Sequence, residues 1–203
     1  MSAPQMLRAD LAALSDWIPE GARVLDLGCG DGALLAHLTA TRGVRGYGLE
    51  IDPANVSACI AQGVNVIQAD LNEGLADFED QAFDVVLMNQ ALQALARPDA
   101  ALAEMLRVGK KAIVTFPNFG HWRVRASLAL GGAMPVTPSL PEKWFNTPNI
   151  HLCTVADFEA LAAERGWRIS RKALLDHDHR SGLAIRLMPN AFAEMAIYEL
   201  QKG

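Results

Sequence analysis

The 203-residue chain is short of cysteine, of excess positive charge and of long apolar runs. Its three cysteines, Cys29, Cys59 and Cys153, have no paired spacing, which excludes a disulfide framework and fits a reducing compartment. No apolar run reaches the length that spans a bilayer. The opening residues MSAPQMLRADLAAL place charges inside their apolar pattern and lack a signal-peptide layout. A cytoplasmic protein is therefore expected, with no membrane partner. The formal net charge of -5 argues against non-specific nucleic-acid binding, and no basic tract interleaved with aromatics is present. With no internal repeat, low-complexity tract or linker-like stretch, a single domain over residues 1–203 is expected.

What is present is an alternation of two periodicities. Leu7, Leu11, Leu14 and Ile18 recur at helical spacing, so residues 5–18 read as a helix ended by Pro19. ARVLDLG, VRGYGLEID, VNVIQAD, FDVVLMN and KKAIVTFPN read as five buried strands. Helical stretches separate them: ALLAHLTATR stopping at Gly43, ANVSACIAQ opened by Asp52-Pro53 and stopping at Gly63, and PDAALAEMLRVGK. Strands alternating with helices at this spacing indicate βαβ units and a parallel sheet. Thr154 with Asp157 three residues on makes a capping-box signal for the helix VADFEALAAE, and WRISRKALLD and AEMAIYELQ complete the chain as two final strands.

Between the first strand and its helix lie Gly28, Gly30 and Gly32. Glycine loses the most conformational freedom on folding, so three within five residues imply a close approach to the backbone. Ligands of open α/β sheets bind at the carboxyl ends of the strands, where this turn sits. A dinucleotide fingerprint competes for the motif. It requires G-x-G-x-x-G, however, and here the pattern is G-x-G-x-G, with Asp26 before it and Asp31 inside it. Two carboxylates would repel a diphosphate and favour a cationic ligand. A phosphate-cradling P-loop is excluded, because no Gly-Lys-Ser/Thr follows.

Three further strand tips carry polar groups. Glu50 can accept hydrogen bonds from ribose hydroxyls, as acids at that position also do in NAD enzymes. Asp70 can accept a proton from an exocyclic amine such as adenine N6, and Asn89 borders the same cleft. Any one of them reads equally well as an acid meeting solvent; four features in chain order at four successive tips do not.

This constellation resembles the class I S-adenosylmethionine-dependent methyltransferases, on VLDLGCGDG, Glu50 and Asp70. The resemblance implies a Rossmann-like α/β fold: a seven-stranded, mostly parallel sheet with helices on both faces and a reversed last strand. It also implies S-adenosylmethionine or S-adenosylhomocysteine as the bound cofactor. The glycine turn would take the carboxylate, Asp26 the ammonium side, Glu50 the ribose and Asp70 the adenine amine. Cys29, Ile51, Leu71 and Asn89 complete the expected cofactor set.

Past Asn118 the rhythm breaks. Residues 119–152 hold four prolines, three glycines and two tryptophans, too long for a simple connection. A cover over about 118–152 with a short helix is expected. FPNFGHWRVR and MPVTPSLPEKWFNTPNIHLCTVADFEAL resemble the methionine-biosynthesis MetW family. That resemblance implies a role beside homoserine O-acyltransferase, and leaves open whether the chain catalyses anything.

Candidate acceptor-side residues are Asn118, His121, Trp144, Asn149 and His151, each of which also reads as a loop cap or cover packing. Arg123 and Arg125 could grip an anion or face solvent. His177 and His179 in DHDH, without further nearby ligands, make no metal site, and none is expected. The function classes that stay open are a cofactor-binding module controlling an acyltransferase, an active methyltransferase on a small metabolite, and, disfavoured by charge, one acting on RNA.

Overall fold

Arg23–Leu27 (β1) is buried at every position after its first, as expected for a strand covered on both faces. In the computed structural model, which describes residues 14–137, 139–176 and 180–203, it is central to a seven-stranded sheet. The other strands are β2 (Arg45–Glu50), β3 (Val66–Gln68), β4 (Val85–Asn89), β5 (Ala112–Pro117), β6 (Trp167–Leu175) and β7 (Met195–Lys202). Their order is β3-β2-β1-β4-β5-β7-β6. β1 pairs in parallel with β2 and with β4, and β2 with β3, while β7 runs antiparallel to β6. The mostly parallel α/β sheet with a reversed last strand expected from the sequence is present. The order reverses between β1 and β4, the switch point at which ligands of such sheets bind.

The chain divides into two compact units, the first running to Asn89 with Ala103–Ala112, the second holding Gln90–Leu102 and Ile113–Gly203. In the first unit, α1 (Ala33–Arg42) buries Leu34, Leu35 and Leu38 and ends at Gly43, whose φ of 63° is the left-handed cap that glycine supplies. α2 (Pro53–Ala61) is capped by the Asp52 carboxylate, which accepts from the Ala54 N–H at 2.8 Å. α3 (Pro98–Val108) contributes Arg107 to this unit. Its guanidinium bridges Glu104, Asp80 and the carbonyls of Leu75 and Phe78, each at 2.8 Å, and so fixes the 75–80 loop.

The second unit is built around stacked rings. Phe116, Phe158 and Tyr198 form a three-ring cluster: Phe158 lies 4.9 and 4.6 Å from the other two, which stack on each other at 6.0 Å. Phe158 sits on α5 (Val155–Glu164), whose capping box is formed as the sequence predicts, with Thr154 and Asp157 each accepting the other's backbone N–H. The cover begins with α4 (Trp122–Gly131) and continues to residue 152 with no further helix among the described residues. Two short helices, α6 (Leu183–Leu187) and α7 (Pro189–Phe192), precede β7 and were not legible in the sequence. Most of the 5–18 helix and all of His177–His179 lie outside the described residues. Leu14 and Ile18, at its end, are buried. No described helix is long and apolar enough to cross a membrane.

Candidate functional site

The turn after β1 holds Gly28, Gly30 and Gly32 at φ of 72°, 57° and 82°, a left-handed conformation that side chains with a Cβ rarely adopt. The Gly28 and Cys29 N–H groups donate to the Leu49 carbonyl at 2.8 and 3.1 Å, which stitches the turn to β2. The bare backbone expected from three glycines is therefore held in one shape by its neighbour strand.

Glu50 sits at the tip of β2 and is only 8% exposed. One carboxylate oxygen, Oε2, accepts from the Gly30 N–H at 2.8 Å. The other, Oε1, accepts from the Ile51 and Asp52 N–H groups at 2.9 and 3.0 Å. A carboxylate offers about four lone-pair positions, so room for one further donor is left, on Oε2. Glu50 thus braces the glycine turn as well as bordering it.

Asp26 on β1 is 2% exposed, and its Oδ1 has no hydrogen-bond partner among the described residues. Burial, reinforced by the charge of Glu50, pushes its carboxyl up to about 7. A buried carboxylate oxygen without a partner is costly in isolation and is met by a donor or a cation.

The outer residues lie around this centre. Ile51 is 58% exposed and offers an apolar surface beside Glu50. β3 ends at Gln68, and the Ala69 N–H donates to the Glu50 carbonyl at 3.0 Å, bringing Asp70 to the tip of β2. Asp70 caps a 3-10 turn, Leu71–Glu73, through Oδ1, which accepts from the Asn72 backbone and side chain at 2.9 Å each. Leu71 and Asn89 are half-buried, and Asn89 ends β4, two residues past Leu87, the partner of Asp26. Asp26, the glycine turn, Glu50, Ile51, Asp70, Leu71 and Asn89 all belong to the first unit.

The acceptor-side candidates belong to the second unit, and most are engaged with backbone. Asn118 is 1% exposed. Its Nδ2 donates to the Asn190 and Ala193 carbonyls at 3.1 and 2.7 Å, and its Oδ1 accepts from the Gly120 and Val155 N–H groups at 3.0 and 3.1 Å. His121 caps α4, its Nδ1 accepting from the Arg123 N–H at 3.4 Å, while Nε2 lies 3.8 Å from Glu194. Arg123 faces the same Glu194 at 3.5 Å, and Arg125 donates to the Gly120 carbonyl at 2.6 Å. His151 is exposed, with Nε2 3.3 Å from the Ala96 carbonyl. Asn149 is half-buried, and Trp144 is 73% exposed, packed edge-on against Phe145. No group of three or more metal-ligating side chains forms among the described residues.

One relationship escaped the sequence. Cys29 in the turn and Cys59 on α2 face each other with sulfurs 3.7 Å apart, and both thiols are reduced. Thirty residues separate them, so no spacing rule flags the pair; only the packing of α2 behind the turn does.

Comparisons with known proteins identify the family and the fold. The family described as methionine biosynthesis protein MetW matches over residues 8–200. A bifunctional methionine biosynthesis protein MetXA/MetW from Rhodopirellula baltica is 37% identical over 200 residues, 94% of this chain, which spans about a third (32%) of that relative's length. A ubiquinone biosynthesis O-methyltransferase from Hahella chejuensis is 35% identical over 60% of this chain and 53% of its own. Among solved structures, an S-adenosylmethionine-dependent methyltransferase from Archaeoglobus fulgidus superimposes with a TM-score of 0.72 at 17% identity, covering 99% of this chain and 95% of its own. Magnesium protoporphyrin IX methyltransferase from Synechocystis, with bound S-adenosylhomocysteine, gives 0.66 at 16% identity, over 96% and 83%. The fold is that of the class I methyltransferases, and the chain belongs to the methionine biosynthesis protein MetW family.

Proposed function

We infer that the glycine turn binds S-adenosylmethionine or S-adenosylhomocysteine, and that the chain serves methionine biosynthesis beside a homoserine O-acyltransferase. The observation that carries the cofactor reading is the unpartnered Oδ1 of buried Asp26 beside a bare backbone turn. An ammonium or sulfonium there supplies the missing counter-charge and favours the ionised carboxylate. Glu50 retains one acceptor position for a ribose hydroxyl, Ile51 offers an apolar face to a purine ring, and Asp70 keeps Oδ2 for an exocyclic amine. When bound, S-adenosylmethionine supplies a methyl group activated by sulfonium.

Asn118 and His121, the buried acceptor-side candidates, favour a binding role over base-assisted catalysis. Asn118 has its amide fully committed to backbone, and the Nδ1 of His121 is occupied by a helix cap. Neither holds a free base for deprotonating an acceptor. The bifunctional relative joins MetXA and MetW parts in one chain, which supports an acyltransferase partner here. Control of that partner requires the cofactor to bind two states of the complex with different affinity. The second reading is an active methyltransferase on a small metabolite. It is favoured by the fold, and a carboxylate acceptor would need no general base.

Calorimetric titration of the purified chain with S-adenosylmethionine tests the first step, with saturable one-site binding expected. Adding purified homoserine O-acyltransferase then separates the readings. Co-elution and cofactor-dependent acyltransferase activity support the binding role, whereas stoichiometric conversion of the cofactor to S-adenosylhomocysteine with a defined acceptor supports catalysis. An absence of cofactor binding overturns both.

A further inference from the structure

Behind the glycine turn of the first unit, two thiols meet: Cys29, whose place in the expected cofactor set is on the turn itself, and Cys59, to which the cofactor reading gives no role. Cys29 leaves the glycine turn inward, and Cys59 meets it from α2 at 3.7 Å between sulfurs. Two glycines make the room. A Cβ at Gly48 on β2 would collide with the Cys29 sulfur, and a Cβ at Gly32 would lie 2.9 Å from the Cys59 sulfur. The Cys59 thiol donates to the Gly30 carbonyl at 3.2 Å, while the Gly30 N–H donates to Glu50 at 2.8 Å. Both polar groups of Gly30 are thus committed, one of them to a thiol. Cys59 is fully buried, and Cys29 is 9% exposed.

We propose that Cys29 and Cys59 form a reversible disulfide that reshapes the glycine turn, making this pair an oxidation site responsive to peroxides. With a peroxide, the Cys29 thiolate attacks one oxygen, the O–O bond breaks, and a sulfenic acid and water result. The Cys59 thiolate then displaces hydroxide from that sulfur, and the S–S bond forms. Two electrons pass from the sulfurs to the peroxide, and the two thiol protons end in water. Cys29 attacks first because it is the more exposed of the two. Closing the bond brings the sulfurs from 3.7 Å to about 2.05 Å. It also removes the S–H that serves the Gly30 carbonyl, so the turn must move. Burial and the nearby carboxylates of Asp26 and Glu50 hold both thiols above the ordinary range, so oxidation is slow at neutral pH and quickens as pH rises.

The test uses the whole chain, treated with hydrogen peroxide and digested without reduction. A linked Cys29–Cys59 peptide, lighter by two hydrogens and restored by dithiothreitol, is expected. It is lost in Cys59→Ser and kept in Cys153→Ser. Amide hydrogen exchange over residues 28–33 is expected to change at least tenfold on oxidation. Absence of the linked peptide at pH 8–9, or a disulfide that leaves exchange in the turn unaltered, overturns the proposal. None of these readouts needs the cofactor, so this inference and the cofactor reading fail separately. Where the reduced chain binds S-adenosylmethionine, the oxidised chain is expected to bind it at least tenfold more weakly.

Discussion

Glu50, at the tip of β2, holds the backbone N–H of Gly30 at 2.8 Å, so the acid proposed to hold a ribose also fixes the shape of the glycine turn. The same carboxylate serves the Ile51 and Asp52 N–H groups, and Asp52 in turn caps α2. On the proposed binding role, one side chain couples binding to stability.

Glu50→Ala removes the acceptor of three N–H groups. Each buried donor left unmet costs about 1–3 kcal/mol, and water entering the vacated space offsets part of that. The variant is expected to melt several degrees lower and to bind S-adenosylmethionine roughly ten- to hundredfold more weakly. Glu50→Gln, which keeps one acceptor oxygen, is expected to fall between the two. Calorimetry paired with thermal denaturation checks this; unchanged affinity in Glu50→Ala removes the residue from the site.

The raised Asp26 carboxyl gives a pH signature. Its folded value, about 7, lies above the unfolded value of 3.8, so the folded state holds the extra proton between those limits. Stability from this group therefore declines as pH rises from about 4 to about 7, and the full cost, roughly 4 kcal/mol at most, is present above that window. Asp26→Asn is expected to match the parent chain near pH 4 and to become progressively more stable relative to it toward pH 8. A cationic cofactor favours the ionised form, so its affinity is expected to rise with pH through the same window in the parent and to stay flat in Asp26→Asn. Parallel titration curves for the two proteins would contradict the assignment.

Asn118 gives the opposite kind of prediction. Its amide satisfies two N–H groups and two carbonyls around α5 and α7, so Asn118→Ala strands all four. A loss of about 3 kcal/mol or more in denaturant unfolding is expected, with cofactor affinity of the folded fraction little changed. Asn118→Asp is expected to be at least as damaging, because an acceptor oxygen then replaces Nδ2, the atom that donates to both the Asn190 and the Ala193 carbonyls. A stable variant with altered turnover would instead mark Asn118 as a reacting residue.

The sheet was legible in the sequence because β1, β4 and β5 are buried along nearly their whole length, although β3 and much of β2 and β6 are not, and because the helices carry strong start and stop signals: Gly43, Gly63, the Asp52-Pro53 start and the Thr154–Asp157 box. α6 and α7 were not, since helices of five and four residues are too short to show a period. Within the site, acids at strand tips could be placed by position alone. How much of Glu50 is already spent on backbone, or that Asn118 is a four-bond hub, depends on which chain ends meet in space. The Cys29–Cys59 pair was hidden for the same reason, with α2 closing a distance that the spacing leaves open.

Gly48 supplies the last prediction, from close packing. It pairs with Asp26 on one side and Val66 on the other, in the middle of β2. A Cβ there would overlap the Cys29 sulfur, and would lie 2.9 Å from the Cys29 Cβ and 3.4 Å from Leu35 Cδ1. The Cys29 sulfur has little space to retreat, because Cys59 stands 3.7 Å behind it. Gly48→Ala is therefore expected to cost about 1–3 kcal/mol in urea unfolding and to displace the turn, weakening cofactor binding. Adding Cys29→Ala removes the sulfur but leaves the Cβ contact, so the double variant recovers part of the loss. The resulting coupling energy should exceed about 0.5 kcal/mol, the level reached by residues in contact. Strict additivity of the two substitutions would mean that Gly48 is not what makes room for Cys29.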